Sequence, residues 1–278
     1  MSALLQTEKL SCRFGGLVAV SGVDLSIKTG HVHGLIGPNG AGKTTFLNLI
    51  SGHTRQVSGS ISFDGKNVGD MSAERRAAAG IRRTFQNLRL FREMTALENV
   101  MIGLHANTAS EIFHSLLRTR KQRQEERDIA DRAQEALDFI GLAQSRDAVA
   151  GALPYGHQRL LEIARAIVAR PKLILLDEPA AGLNGAEAGR LVGLIRRIQV
   201  TGITVMLVEH HMEVVMRACD RITVLNYGKK LADGSPADIR DHSGVIEAYL
   251  GTKRGLRRPG AESATVQSGA MKVRNAAS

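Results

Sequence analysis

Tryptophan is absent from this 278-residue chain, and aromatic residues of all kinds make up 4% of it. That scarcity argues against the stacking platforms on which single-stranded nucleic acids are held. Cysteine occurs twice, at Cys12 and Cys219, in no CxxC or metal-type spacing. Neither a disulfide framework nor a thiolate metal centre is expected, and both residues read as reduced, cytosolic thiols. No apolar run approaches the roughly 18 residues that span a bilayer. The opening Met1-Ser-Ala-Leu-Leu-Gln-Thr-Glu8 has neither the basic nor the apolar stretch of a signal peptide. A role at a membrane would therefore pass through a partner.

Glycine, by contrast, is plentiful at 29 residues, as expected of tight turns and of backbone that approaches a ligand closely. The length suits one large domain or two small ones and can bury a real core. The net charge of +10 is uneven. Lys253, Arg254, Arg257, Arg258, Lys272 and Arg274 against Glu262 place half of it in the last 26 residues. Residues 253–278 read as a basic, disordered tail, with contact to anionic lipid or RNA as the alternatives.

Alternation of Val23, Leu25 and Ile27, and of Ile61 and Phe63 before Asp64-Gly65, predicts strands and a hairpin turn in the first 70 residues. A strand over 31–36 runs into a Gly-rich loop and a helix over 46–50. From about Leu88 to Leu153 the pattern is helical. The mixed-charge run 118–132 reads as an exposed face. Ala133, Leu137 and Ile140 share one side of a helix that Gly141 would end. Strands at 173–176, 204–208 and 222–225 then alternate with helices at 187–199 and 212–218, which predicts a buried parallel sheet.

Two motifs carry chemistry. Gly37-Pro38-Asn39-Gly40-Ala41-Gly42-Lys43-Thr44-Thr45 matches G-x-x-x-x-G-K-[ST] between a strand and a helix. Its glycines let backbone N–H groups wrap phosphates, and the helix N-terminus adds partial positive charge. Lys43 would reach the β- and γ-phosphates, and the Thr44 hydroxyl would ligate Mg²⁺. The second motif is Leu173-Ile-Leu-Leu-Asp177-Glu178-Pro179. An apolar strand delivers two carboxylates at the end where such sheets bind ligands. Asp177 suits the Mg²⁺ role and Glu178 the polarising of an attacking water. Alone, this could be a strand before an acidic helix cap; paired with the phosphate loop it predicts a nucleoside triphosphatase.

Leu153-Pro154-Tyr155-Gly156-His157-Gln158-Arg159 then leads into an apolar helix just before the acidic strand. With this third element the sequence resembles the ATP-binding cassette family, across roughly residues 4–251. The resemblance implies a P-loop α/β fold: a mainly parallel core sheet, an N-terminal antiparallel β subdomain and a helical subdomain, about 88–160, inserted in a domain of residues 1–252. It makes Phe14 the aromatic that stacks on adenine, although taken alone such a residue is more often core. It makes Gln86 a Mg²⁺ contact that links the site to the helical subdomain, and Tyr155 and Gly156 the nucleotide contacts of the signature. Ala181-Gly-Leu-Asn184 becomes the loop that crosses a dimer interface. His210 becomes the switch histidine at the γ-phosphate, with His211 its bystander. Glu178, His210 and Gln86 are thus the expected catalytic set, and Thr44, Gln86 and Asp177 the expected Mg²⁺ set.

The match narrows further. Residues 84–91, the Tyr-Gly signature, 177–184, 208–212 and 220–234 look like the larger ATPase of branched-chain (hydrophobic) amino-acid importers. That implies ATP and Mg²⁺, a second and different cassette subunit, two transmembrane permeases and, indirectly, a periplasmic binding protein. It implies a peripheral place on the cytoplasmic face of the inner membrane and no nucleic acid. The same motor could serve an aromatic acid or a urea-like amide. A DNA-repair cassette would need a coiled-coil insertion far longer than the about 130 residues between Lys43 and Leu173, and a translation cassette would carry two motif sets. Three departures stand out: Pro154 replaces the signature serine, His157 its glutamine, and Asn184 the usual aspartate. Proline suits a helix start, so Pro154 has a structural reading beside the loss of a hydroxyl.

Overall fold

The computed structural model describes residues 3–105 and 120–254. Tail residues 255–278 lie outside them, as do the first two residues of the charged run 118–132.

The chain opens with a long hairpin, β1 (Ala3–Phe14) and β2 (Leu17–Lys28). β4 (Ser58–Phe63) and β5 (Lys66–Asn67) complete an antiparallel sheet in the order β2-β1-β4-β5. In β2 the apolar positions 23, 25 and 27 are buried and the polar positions between them exposed, as the alternation predicts. β1 is less regular: its register shifts beside Lys9, which takes a left-handed φ of 45°. The Asp64-Gly65 turn has positive φ at both residues, 50° and 74°. That backbone twist matches the flanking strands.

The second sheet has six strands in the order β10-β9-β3-β8-β7-β6. They are β3 (Val32–Ile36), β6 (Ile81–Arg83), β7 (Leu173–Asp177), β8 (Thr204–Val208), β9 (Arg221–Asn226) and β10 (Lys229–Gly234). All neighbours are parallel except the β9–β10 hairpin. Every residue of β3, β7 and β8 is buried, because both faces of the sheet are covered. Alternate residues serve different cores. Leu35, Leu175 and Met206 join α1 (Lys43–Ser51) and the antiparallel sheet. Ile36, Leu176 and Leu207 face α5 (Tyr155–Ile167), α6 (Gly185–Val200) and α7 (Met212–Ala218).

Between β6 and β7 stand α3 (Ala96–His105), α4 (Arg120–Ile140) and α5, after the short α2 (Ala73–Ala78) that precedes β6. Ala133, Leu137 and Ile140 are buried along α4, and Gly141 ends it at φ 82°. Residues 88–95 are not helical, contrary to the periodic pattern. Asn99 instead takes up their backbone, accepting from Phe91 N–H and donating to the Phe91 and Met94 carbonyls. The chain closes with α8 (Pro236–Arg240) and α9 (Ser243–Arg254). No described helix is long and apolar enough to cross a membrane.

Candidate functional site

The loop after β3 is shaped by close backbone contact. Gly37 (φ 151°) and Gly42 (φ 100°) sit where a Cβ would collide with the carbonyl oxygens of Leu225 and Ala19. α1 starts at Lys43, three residues earlier than the apolar run predicts. No side chain caps this end, so its first N–H groups face the loop in an anion-attracting array. Lys43 lies back over the loop, donating to the Gly37 carbonyl at 2.6 Å and the Pro38 carbonyl at 3.0 Å. Burial lowers its pKa, opposed by the charges of Glu178 and then Asp177. The ammonium therefore lies within the field of both carboxylates of the second motif.

Those carboxylates leave β7 in different directions. Asp177 is buried and its Oδ2 takes Arg83 Nη2 at 2.8 Å. Arg83 also donates to Asn48 Oδ1 at 2.6 Å and Ser51 Oγ at 3.2 Å, both on α1. Glu178 follows in the left-handed region (φ 48°), its N–H bonded to Val208 O at 2.9 Å. This turn swings its side chain out of the strand's alternation. Gln86 Nε2 donates to Glu178 Oε2 at 2.9 Å, and His210 Nδ1 lies 3.7 Å from Oε1. Gln86, Glu178, His210 and the Lys43 loop are thus brought to one end of the parallel sheet, from segments far apart in sequence.

Phe14, half exposed, ends β1 at the tip of the hairpin. Ala19 on the returning strand touches Gly42, which brings the hairpin beside the phosphate loop. Tyr155 and Gly156 lie elsewhere, at the head of α5. There the Tyr155 ring abuts Gly182 and Gly156 abuts Glu187. No hydrogen bond joins them to the phosphate loop among the described residues. Pro154 is the N-cap of α5 and caps nothing with its side chain. Asn184 has a local reason: it caps α6 in a reciprocal box with Glu187.

Residues outside both motifs complete the site. Glu209, fully buried, accepts from the N–H groups of Ala180 (2.7 Å), His210 (3.2 Å) and His211 (3.3 Å). It ties the segment after Glu178 to the segment carrying His210. Burial raises its pKa, with those N–H groups acting the other way. Its signal was a carboxylate ending an apolar strand, the pattern that also marks Asp177. On the far side of the loop, Pro38 to Ala41 and α9 residues Gly244 and Glu247 border a hollow of about 560 Å³.

Comparison with known proteins gives this geometry its family. The ABC transporter family model matches residues 20–181, more than half the chain and every element from the loop to Glu178. The chain belongs to the ABC transporter family. A second match, described as branched-chain amino acid ATP-binding cassette transporter, covers residues 229–254. The high-affinity branched-chain amino acid transport ATP-binding protein BraF of Pseudomonas aeruginosa is 43% identical over 249 residues. That alignment covers 89% of this chain and 98% of BraF. LivG of Escherichia coli, which carries the same description, gives the same identity and coverage. Among solved structures, the ADP conformation of MJ1267, an ATP-binding cassette of an ABC transporter, superposes with a TM-score of 0.80 at 31% identity. The match covers 90% of this chain and 100% of that one. A nucleotide-free cassette gives 0.78 at 30% identity, with 89% and 98% covered. As a cassette of this family the chain is a nucleotide-binding ATPase coupled to transport.

Proposed function

We propose that this cassette powers uptake of branched-chain and other hydrophobic amino acids through separate membrane subunits. The observation that carries the reading is the convergence of Lys43, Asp177, Glu178, Gln86 and His210 on one sheet end. The C-terminal match supplies the solute class. ATP is held by the loop 37–45 with Phe14 against its base, where stacking contributes roughly 1–3 kcal/mol. Glu178 polarises the attacking water, aimed by the Gln86 amide; His210 stands at the γ-phosphate.

The Thr44 hydroxyl, the Gln86 amide oxygen and Asp177 form a hard-oxygen donor set that suits Mg²⁺. With Gln86 Nε2 on Glu178 and Asp177 Oδ2 on Arg83, Gln86 keeps its amide oxygen and Asp177 its other carboxylate oxygen for the cation. Bound there, Mg²⁺ would neutralise charge on the phosphates.

In this reading residues 1–252 form the cassette, the helices within 88–160 meet a permease, and Tyr155-Gly156 completes the nucleotide site of a second, different cassette. The assembly comprises two cassettes and two permeases served by a periplasmic binding protein, and this chain sits on the cytoplasmic face of the inner membrane. An aromatic acid or urea-like amide is the alternative solute. Uptake of labelled leucine, benzoate and urea in cells carrying the chain or its Glu178→Gln form tests this. Loss of leucine uptake alone is the expected result; loss of either other solute with leucine uptake intact reassigns the cargo.

A further inference from the structure

The loop 84–91 follows β6 and enters no helix or strand, so its backbone groups need partners elsewhere. Two buried, charged side chains of α5 supply them. Arg159 and Glu162 are each 2% exposed and pair with each other at 3.3 Å. Arg159 Nη1 donates to the Phe85 carbonyl at 2.9 Å, and Nη2 donates to the Gln86 carbonyl at 2.7 Å. Glu162 Oε1 accepts the Phe85 N–H at 3.3 Å. Both polar groups of the Phe85 backbone therefore end on one helix. A planar guanidinium can read two successive carbonyls at once; a lysine ammonium, with its tetrahedral donors on one atom, cannot hold the same fork.

The fastening reaches the head of α5. Arg159 Nη2 also donates to the Tyr155 hydroxyl at 2.7 Å, and its guanidinium lies 5.5 Å from the Tyr155 ring centre. That ring packs on Gly182, where a Cβ would come within 3.0 Å of Cε1. The side chain of Gln86 meanwhile points the other way, to Glu178. One residue of the loop thus touches the hydrolytic carboxylate with its side chain and the head of α5 through its backbone. Pulling loop and helix apart would strip the buried Arg159–Glu162 pair of its three bonds to the Phe85 and Gln86 backbone, so the two move as one body.

We propose that Arg159 is a positioning residue that locks the Gln86 loop to Tyr155-Gly156, so that nucleotide at this chain's phosphate loop re-aims the surface it offers to the second cassette. The inference rests on the proposed nucleotide site; the family resemblance already joins Gln86 to the helical subdomain, and Arg159 is the residue assigned here to carry that joint.

The test is hydrogen exchange of the full chain with magnesium and a non-hydrolysable ATP analogue. In the wild type the analogue should alter exchange in both 84–90 and 153–158. In Arg159→Lys its affinity should stay within about threefold and the 84–90 response should persist, because the phosphate loop is untouched. The 153–158 response should fall by at least half, which a merely structural role would not produce at unchanged affinity. Tyr155→Phe, which removes one hydroxyl, should lower the same response and carries the test if Arg159→Lys does not fold. An undiminished 153–158 response in the variant tested, or a wild type responding only at 84–90, overturns the link and leaves the nucleotide site standing. No binding of the analogue at all sinks the proposed function, and this inference with it.

Discussion

Gln86 and Glu178, separated by 92 positions, meet through a 2.9 Å hydrogen bond from the Gln86 amide to the carboxylate. The contact fixes one carboxylate oxygen and leaves the other facing His210. Glu178→Gln keeps the shape of this arrangement but removes the base, so turnover should fall on the order of 10²-fold or more while nucleotide binding survives. Lys43→Ala should abolish binding itself. Purified Glu178→Gln with near-normal hydrolysis would remove that residue from the mechanism.

Arg83 and Asp177 form a buried pair with side chains 6% and 5% exposed. Removing one partner strands the other's charge, at a cost of about 3–5 kcal/mol. Arg83→Met should lower the unfolding free energy by that order in urea titration. Arg83→Met combined with Asp177→Asn should recover more than half of the loss. A double variant no more stable than the single one would mean that the pair is incidental.

The buried His33 imidazole bonds to Thr223 Oγ1 at 2.9 Å, and Thr223 bonds on to Asp233 at 2.6 Å. Burial pulls its pKa down to about 4; Asp233 opposes this, while Arg221, His31 and Lys230 add to it. The unfolded chain takes up this proton near pH 6.5 and the folded chain only near 4. The stability contribution is thus complete above pH 6.5 and fades as pH falls toward 4, by up to about 3 kcal/mol. Urea midpoints of His33→Gln should decline less steeply than wild type between those pH values. Parallel declines would show that the histidine titrates normally.

Pro154 gives the signature no side-chain donor, and as a proline at the N-cap of α5 it has no N–H to offer. The composite site that uses it should lack one contact to the transferring charge, worth roughly 2.7–4 kcal/mol in comparable sites. In the assembled transporter, Glu178→Gln here should therefore depress ATPase and uptake more than the matching change in the second cassette. Equal losses would make Pro154 a helix-start residue and nothing more.

The buried strands were legible because they are apolar without interruption: β8 occupies the predicted span, and β7 exceeds its span by Asp177 alone. β1 was hidden by the register shifts that break its alternation. The start of α3 was legible and overlooked, since Thr95 and Glu98 form a reciprocal cap. The phosphate loop and both carboxylates announce themselves by local spacing, whereas Gln86 and His210 come with the family resemblance. Arg83 and Arg159 do neither. Their partners Asp177 and Gln86 lie 94 and 73 positions away, a distance only the folded sheet closes.

The strands on either side of the inserted helices, β6 and β7, are each other's neighbours, with Ile81 opposite Leu173 and Arg83 opposite Leu175. A crossover between parallel neighbours needs one helix, and α5 already meets that need. Helices α3 and α4 are additions to a connection that was complete without them. Their length and sequence can drift without altering any rung of the sheet, since closing a longer loop costs little more than closing a short one. The limit on such drift is steric: Gly103 of α3 lies where a methyl group would strike the Arg165 carbonyl. The architecture therefore allows a lineage to exchange what the cassette docks onto while its hydrolytic machinery stays fixed. A graft of foreign helices between β6 and α5 becomes a question of covering the exposed side of α5.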